Sequence, residues 1–344
     1  MTIHSSGSST LGPIFIVGMP RSGTTLLTSM LSAHPRIAIA PETHYLCYWL
    51  RQYKTLNLSC TQDFDSFWQA VSNSQRFSYF GIDAHPTRER ILAKGSPSHQ
   101  HILSGWLEEY AHTINKPRWG EKTPLHYQHL HQLFTWFPDA QVIWMLRDPR
   151  AVAASLNTVP WASNYIHIHA QQWQESLTSF ERDWQRDSRV MLLQYEKLIQ
   201  QPERCLTRLC HFLGETYTTD MLTTRSAANT PLINRQGWAV QHLQSALQPI
   251  SANAISKWQR NLANHQIEII EALTFPDAAK YGYCANTSHP ISPYASFRLN
   301  LEKLRVKLDR KLAHWQTRLT QQPRQTGQYI GAGPKSVNNA TKSP

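Results

Sequence analysis

The sequence predicts an α/β fold, a central parallel sheet flanked by helices. Three observations predict it: apolar runs at residues 13–17, 141–146 and 190–195, each handing over to a segment of helical periodicity. Strands that alternate with helices fold as parallel sheets. Residues 14–17 form the first expected strand. A loop holding Gly18, Pro20 and Gly23 follows, and residues 26–32 begin the first helix. A loop at such a junction aims backbone N–H groups and the positive end of a helix dipole at one place, which suits a phosphate. Gly18 and Gly23 keep the spacing of a nucleotide P-loop, but Thr24, followed by Thr25, stands where that loop has lysine.

Residues 45–115 carry aromatics without a clean period, and we expect helices and loops that wall an acceptor site. The second strand, 141–146, runs into Arg147-Asp148-Pro149-Arg150 and a helix over 151–156. Asp148 is expected to cap that helix, with Pro149 at its first position. The third strand, 190–195, precedes a helical stretch over 197–213 that ends at Gly214 as a C-cap would. Ligands of such sheets gather at the carboxyl ends of the strands. Loops 18–25 and 147–155 both fall there.

The chain of 344 residues is long enough for one large domain or two smaller ones. Its 41% hydrophobic content and 12 tryptophans describe a globular protein. A net charge of +11 favours anionic ligands. No basic arm or zinc-finger pattern points to nucleic acid. Five cysteines without a Cys-x-x-Cys pair argue for free thiols rather than a disulfide scaffold. No signal peptide and no apolar run of membrane-spanning length are visible, so we expect a soluble, cytoplasmic, bacterial protein. Histidines at 126, 129 and 131 and at 167 and 169 complete no recognised zinc pattern, and no metal is expected.

Residues 1–12 read as a flexible leader, 13–285 as the main domain, 286–320 as a basic helical extension and 321–344 as a disordered tail. Within the extension, Leu301, Leu304, Leu308, Leu312, Trp315 and Leu319 form a stripe over 296–320, bordered by Lys and Arg. Packing on the domain, a homodimer contact and a membrane-surface contact all fit that stripe.

Pro20-Arg21-Ser22-Gly23-Thr24-Thr25-Leu26 resembles the 5′-phosphosulfate loop of sulfotransferases that use 3′-phosphoadenosine 5′-phosphosulfate (PAPS). Residues 142–150, Val-Ile-Trp-Met-Leu-Arg-Asp-Pro-Arg, with Ser155, resemble their 3′-phosphate motif. Trp119 to Pro124 looks like the lysine segment of that family, Gln194 to Leu198 like its Tyr-Glu-x-Leu element, and Ser256-Lys257-Trp258 like a late Ser-Lys-Trp element. The match is nearest to the protein-tyrosine sulfotransferase branch and its bacterial relatives.

The resemblance implies a P-loop-like three-layer fold and transfer of a sulfuryl group from PAPS to an acceptor hydroxyl of a peptide tyrosine, a glycan or a small molecule. It also implies roles. Arg21, Ser22, Gly23, Thr24 and Thr25 would hold the phosphosulfate, and Arg147 and Ser155 the 3′-phosphate. Tyr195, Ser256 and Lys257 would contact the nucleotide. Lys122 would offset charge on the leaving oxygen. Pro124 stands where many members have a basic histidine, so Glu42 is the expected base, with His44 as rival. Glu42 becomes an effective base if partial burial raises its pKa, and a helix-capping or salt-bridge role is its alternative. Arg150 fits a ligand contact or a helix-start salt bridge equally. The acceptor pocket is expected from 45–115 and 157–185, with Trp49, Trp68, Phe77, Tyr79, Trp161 and Tyr165 as wall or core. A P-loop kinase or NTPase, and a non-catalytic nucleotide-binding relative, are the alternative readings.

Overall fold

The computed structural model describes residues 11–223, 253–286 and 291–320. The main elements are β1 (Ile14–Gly18), α1 (Thr24–Ser32), β2 (Ile37–Ala40), α2 (Thr61–Ser72), α3 (Ala84–Leu92), α4 (His99–Thr113) and β3 (Arg118–Lys122). After them come α5 (Leu130–Trp136), β4 (Gln141–Leu146), α6 (Pro149–Leu156), α7 (Ile166–Ser179), β5 (Val190–Gln194) and α8 (Tyr195–Gln200). The last are α9 (Pro202–Leu213), α10 (Asn264–Thr274) and α11 (Pro293–Thr320). The described chain gathers into two compact units, one from residues 11–146 and 181–223, the other from 147–180, 253–286 and 291–320.

The first unit holds the sheet, five parallel strands in the order β2-β3-β1-β4-β5. All five residues of β1, Ile-Phe-Ile-Val-Gly, are buried, as expected of a central strand covered on both faces. β4 has the predicted bounds, and β1 runs one residue further than expected, to Gly18. β5 stops at Gln194, one residue short of expectation, because Tyr195 opens α8. Gln201, whose backbone is not helical (φ −136°, ψ 59°), breaks the expected helix 197–213 in two, and α9 ends on Gly214 as predicted.

Two strands were not legible. β2 is only Ile-Ala-Ile-Ala. β3 reads Arg-Trp-Gly-Glu-Lys, with charge at both ends. Arg118 is tolerated there because its guanidinium donates to the carbonyls of Gly12 (2.9 Å) and Leu213 (2.6 Å) and to Gln141 Oε1 (2.5 Å). It also pairs with Glu215 at 3.4 Å. Gly120 is needed because a Cβ at that point would lie 2.6 Å from the carbonyl oxygen of Ile14 on β1.

Residues 45–115 are helical, as expected. A π-helical turn (Tyr45–Trp49) precedes α2, α3 and α4. Trp106 of α4 packs its ring 4.7 Å from Phe80 and 5.3 Å from Phe77. Trp49, Trp68 and Phe77 are therefore core, whereas Tyr79, Trp161 and Tyr165 are only partly buried.

The second unit packs α6, α7, α10 and α11 around Ala151, Ala154, Ile166, Ala170, Trp258 and Ile270. Ala295 of α11 is buried in this core. Glu302 of the same helix accepts from His167 Nδ1 at 2.7 Å, and Asp309 from the Tyr165 hydroxyl at 2.7 Å. Tyr294, Phe297, Leu304 and Leu308 stay exposed. The expected tail, all but two residues of the leader and the side chains of Leu312, Trp315 and Leu319 lie outside the described residues. Among the described residues no helix is long and apolar enough to cross a membrane.

Candidate active site

The loop after β1 is built for an anion. Arg21 sits at φ 73° and Gly23 at φ 92°. A left-handed non-glycine residue costs about 1–2 kcal/mol and marks a place where the surroundings impose the backbone. Gly23 is the N-cap of α1 and offers no side-chain cap. The first amides of the helix are thus left for a ligand. Ser22 is fully buried, and its hydroxyl has no hydrogen-bond partner among the described residues. Thr24 is buried and Thr25 partly so. A Cβ on Gly23 would lie 2.3 Å from Cδ2 of Tyr195, so that ring closes one side of the loop. A buried hydroxyl lacking a partner, an uncapped helix and an arginine fit an anionic oxygen cluster such as a phosphosulfate.

Parallel pairing brings the next group to the same edge of the sheet. Lys122 ends β3 in register with Ile16, two residues before the loop. Ala40 of β2 pairs with Glu121, so Glu42 emerges beside Lys122. The Lys122 ammonium donates to Oε1 of Glu42. His44 Nε2 lies 2.7 Å from the other carboxylate oxygen. Burial raises the pKa of Glu42, but the charges and hydrogen bonds of Lys122 and His44 outweigh it and hold the carboxylate well below its ordinary range. The condition of a raised pKa is therefore not met, and the salt bridge weighed for Glu42 is observed, as an ion pair with Lys122.

Glu121 points the other way. Its Oε1 accepts from the Thr43 amide (2.8 Å) and from the hydroxyls of Thr43 and Thr123 (both 2.5 Å). Its Oε2 lies 3.3 Å from His126 Nδ1. This buried knot fixes the backbone at Thr43, next to Glu42. His44 adopts φ 52°, and Cys47 Sγ approaches its Nδ1 at 3.8 Å. The sequence reading missed His126 and Cys47. For Cys47 the signal was the short Glu-Thr-His-Tyr-Leu-Cys stretch over 42–47, which carries three polar reactive groups within six residues, whereas His126 was weighed only as part of a histidine cluster.

The second unit holds the other candidate residues. Asp148 caps α6 as expected, accepting from the Arg150 amide at 2.8 Å, with Pro149 following. Arg150 is spent on structure. It bonds Asp148 (2.7 and 3.0 Å), Glu271 (2.7 Å) and the Cys284 carbonyl (2.9 Å). Its guanidinium also stacks 4.2 Å from the Trp258 ring centroid. Of its two expected roles, the salt bridge is the one observed.

Arg147 donates to the carbonyl of Ala254 at 3.2 Å, two residues before Ser256. Its own carbonyl accepts from Trp173 Nε1 at 2.8 Å. Ser155 lies on α6, partly buried, and Ser256 and Lys257 are exposed. Arg147 and the 253–257 segment are therefore neighbours. Among the described residues no group of three or more His, Cys, Asp or Glu side chains is placed to hold a metal ion.

Comparison with known proteins gives this geometry a family. A protein-tyrosine sulfotransferase of Drosophila melanogaster is 26% identical over 71% of this chain, although the match spans only 46% of the fly protein. A putative protein-tyrosine sulfotransferase of Caenorhabditis briggsae is 24% identical over 80% of this chain and 91% of its own length. Among solved structures, the sulfotransferase domain from the curacin biosynthetic pathway shares the fold, with a TM-score of 0.57. It is 20% identical, covering 79% of this chain and 98% of that domain. The model of the sulfotransferase family matches residues 13–219, more than half of the chain, and the chain belongs to that family.

Proposed function

We propose that this protein transfers a sulfuryl group from PAPS to an acceptor hydroxyl, in line and without a covalent enzyme intermediate. The observation that carries the reading is the convergence, at one sheet edge, of an uncapped helix start with the unpartnered Ser22 hydroxyl and of the Lys122–Glu42 pair. When bound, the donor supplies a sulfuryl group activated by a phosphate leaving group. The amides of the 18–25 loop, Arg21, Ser22, Thr24 and Thr25 hold its phosphosulfate end. Arg147 and Ser155, with Ser256 and Lys257, hold its 3′-phosphate, and Tyr195 closes the loop.

Glu42 accepts the proton of the acceptor hydroxyl as the acceptor oxygen bonds sulfur and the sulfur–phosphate oxygen bond breaks. The pairing seen here gives Lys122 a timed role. While Glu42 is charged, it holds the ammonium. Once Glu42 takes the proton, that attraction collapses, and Lys122 is released toward the negative charge that forms on the leaving phosphate. Positioning and charge stabilisation do most of the work of such transfers.

The names of the relatives make the tyrosine phenol the first acceptor to try. A phenol also suits a carboxylate of low basicity, because its proton is more acidic than that of an alkyl hydroxyl. Glycans and small-molecule hydroxyls complete the panel. Isotope-labelled PAPS should deliver sulfate to one of these acceptors. Calorimetry should show binding of 3′-phosphoadenosine 5′-phosphate without magnesium. Binding of ATP instead, or a need for magnesium, would overturn the reading. Arg147→Ala and Ser155→Ala should weaken nucleotide affinity roughly tenfold each, the value of one charged hydrogen bond.

A further inference from the structure

The turn after β2 carries a thiol, Cys47, that sulfuryl transfer leaves unused. Cys47 Sγ, His44 and the Glu42 carboxylate stand in a row, at 3.8 Å from sulfur to Nδ1 and 2.7 Å from Nε2 to Oε2. A thiol beside an imidazole that is itself oriented by a carboxylate is the arrangement that activates a cysteine nucleophile. His44 is held in this row by a left-handed backbone, and the wide π-helical turn that follows carries Cys47.

The other charged and titratable groups around the row are Lys122, His126, Glu121 and Arg76. The Leu46 amide lies 3.2 Å from Nε2 of His126, and Glu121 lies 3.3 Å from Nδ1 of the same ring and raises its pKa. His126 and His44 both stand beside the sulfur and lower its pKa, and the thiol also faces the His44 carbonyl at 3.5 Å. Burial raises the Cys47 thiol, the imidazoles beside it lower it, and the balance falls below the ordinary thiol range. Cys47 is only partly buried, so a small reagent can reach it. Cys60 and Cys284 are more exposed, and Cys210 is buried.

We propose that Cys47 is a hydroperoxide-reactive thiol whose oxidation to a sulfenic acid silences the Glu42 site beside it. The thiolate sulfur attacks the terminal oxygen of the hydroperoxide. An S–O bond forms as the O–O bond breaks. Sulfur gives up two electrons, the peroxide is reduced, and the departing alkoxide or hydroxide takes a proton from the His44 imidazolium. The new oxygen lies against the ring that orients Glu42, so the carboxylate loses its partner geometry. A thiol reductant reverses the step.

The silencing half of this proposal rests on the transfer reaction proposed above, whereas the reactivity of the thiol is read without turnover. The full chain is treated with limiting hydrogen peroxide at neutral pH and then with a dimedone-type probe. Label at each of the five cysteines is read by peptide mass spectrometry. Cys47 should label about tenfold faster than Cys60 and Cys284, and His44→Gln should remove roughly that advantage. Urea-unfolded protein should lose the selectivity, which serves if His44→Gln does not fold. Equal labelling of Cys47 and the exposed cysteines in the native protein would overturn the proposal.

Sulfate transfer should fall with the same peroxide dose and return with dithiothreitol. Cys47→Ser should keep its activity within about twofold and resist peroxide. Inactivation of Cys47→Ser by peroxide would overturn the silencing half. Selective labelling in a chain without transferase activity would sink the reaction and leave the reactive thiol standing.

Discussion

At the scale of single residues, the proposed chemistry turns on Glu42. Its two carboxylate oxygens are taken by Lys122 and His44, so it is ionised throughout the neutral range and is a weak base. Glu42→Gln keeps the shape and removes the proton acceptor. It should lower kcat roughly a hundred- to ten-thousand-fold and leave nucleotide affinity nearly unchanged. Loss of nucleotide binding in that variant would place Glu42 in the donor site instead. His44 titrates the other way. Burial lowers its pKa, but the hydrogen bonds with Cys47 and Glu42 and the charge of Glu42 outweigh it, and the net shift is upward. A group raised on folding contributes stability that is full below its unfolded pKa and is lost as pH rises through the folded one. Urea midpoints should therefore fall between neutral and alkaline pH by an increment that His44→Gln abolishes. An unchanged slope in the variant would show that another group titrates.

At the scale of elements, the loop between β1 and α1 is the sensitive joint. Gly23 combines a left-handed backbone with a Tyr195 ring that leaves no room for a methyl group. Gly23→Ala should cost roughly 1–3 kcal/mol in strain and displaced packing. It should also weaken nucleotide binding more than it slows turnover at saturation. A variant that binds as tightly as the parent would remove the loop from the donor site. This loop was legible because its glycine spacing sits between an apolar run and a helical pattern. β4 was legible for the same reason. β2 and β3 were not, because four residues alternating Ile and Ala carry little pattern, and a strand of Arg-Trp-Gly-Glu-Lys contradicts the apolar rule. What makes β3 a strand is the set of distant acceptors around Arg118 and the close approach of β1 to Gly120. No local window contains either.

At the scale of the molecule, Arg118 ties together the segment before β1, the start of β4, the end of α9 and the segment after it. Arg118→Met keeps the length and removes every donor. It should cost about 3–5 kcal/mol, the usual result of breaking a buried ionic network, and lower the urea midpoint of tryptophan fluorescence. A change under about 1 kcal/mol would show that water or Arg36 replaces it. The sequence alone determined the α/β class, the anion loop, the helix start at Asp148 and the identity of Glu42 and Lys122 as reactive candidates. The first three follow from short-range rules, in which periodicity, glycine placement and capping chemistry act within a few residues, whereas Glu42 and Lys122 were named by the family resemblance. Only the tertiary structure decided that Lys122 and His44 share Glu42, that Arg150 is consumed by Asp148 and Glu271, and that Cys47 lies beside His44. The first and second depend on which strand ends and helices meet. The third depends on one left-handed residue and one widened turn, which no periodicity announces.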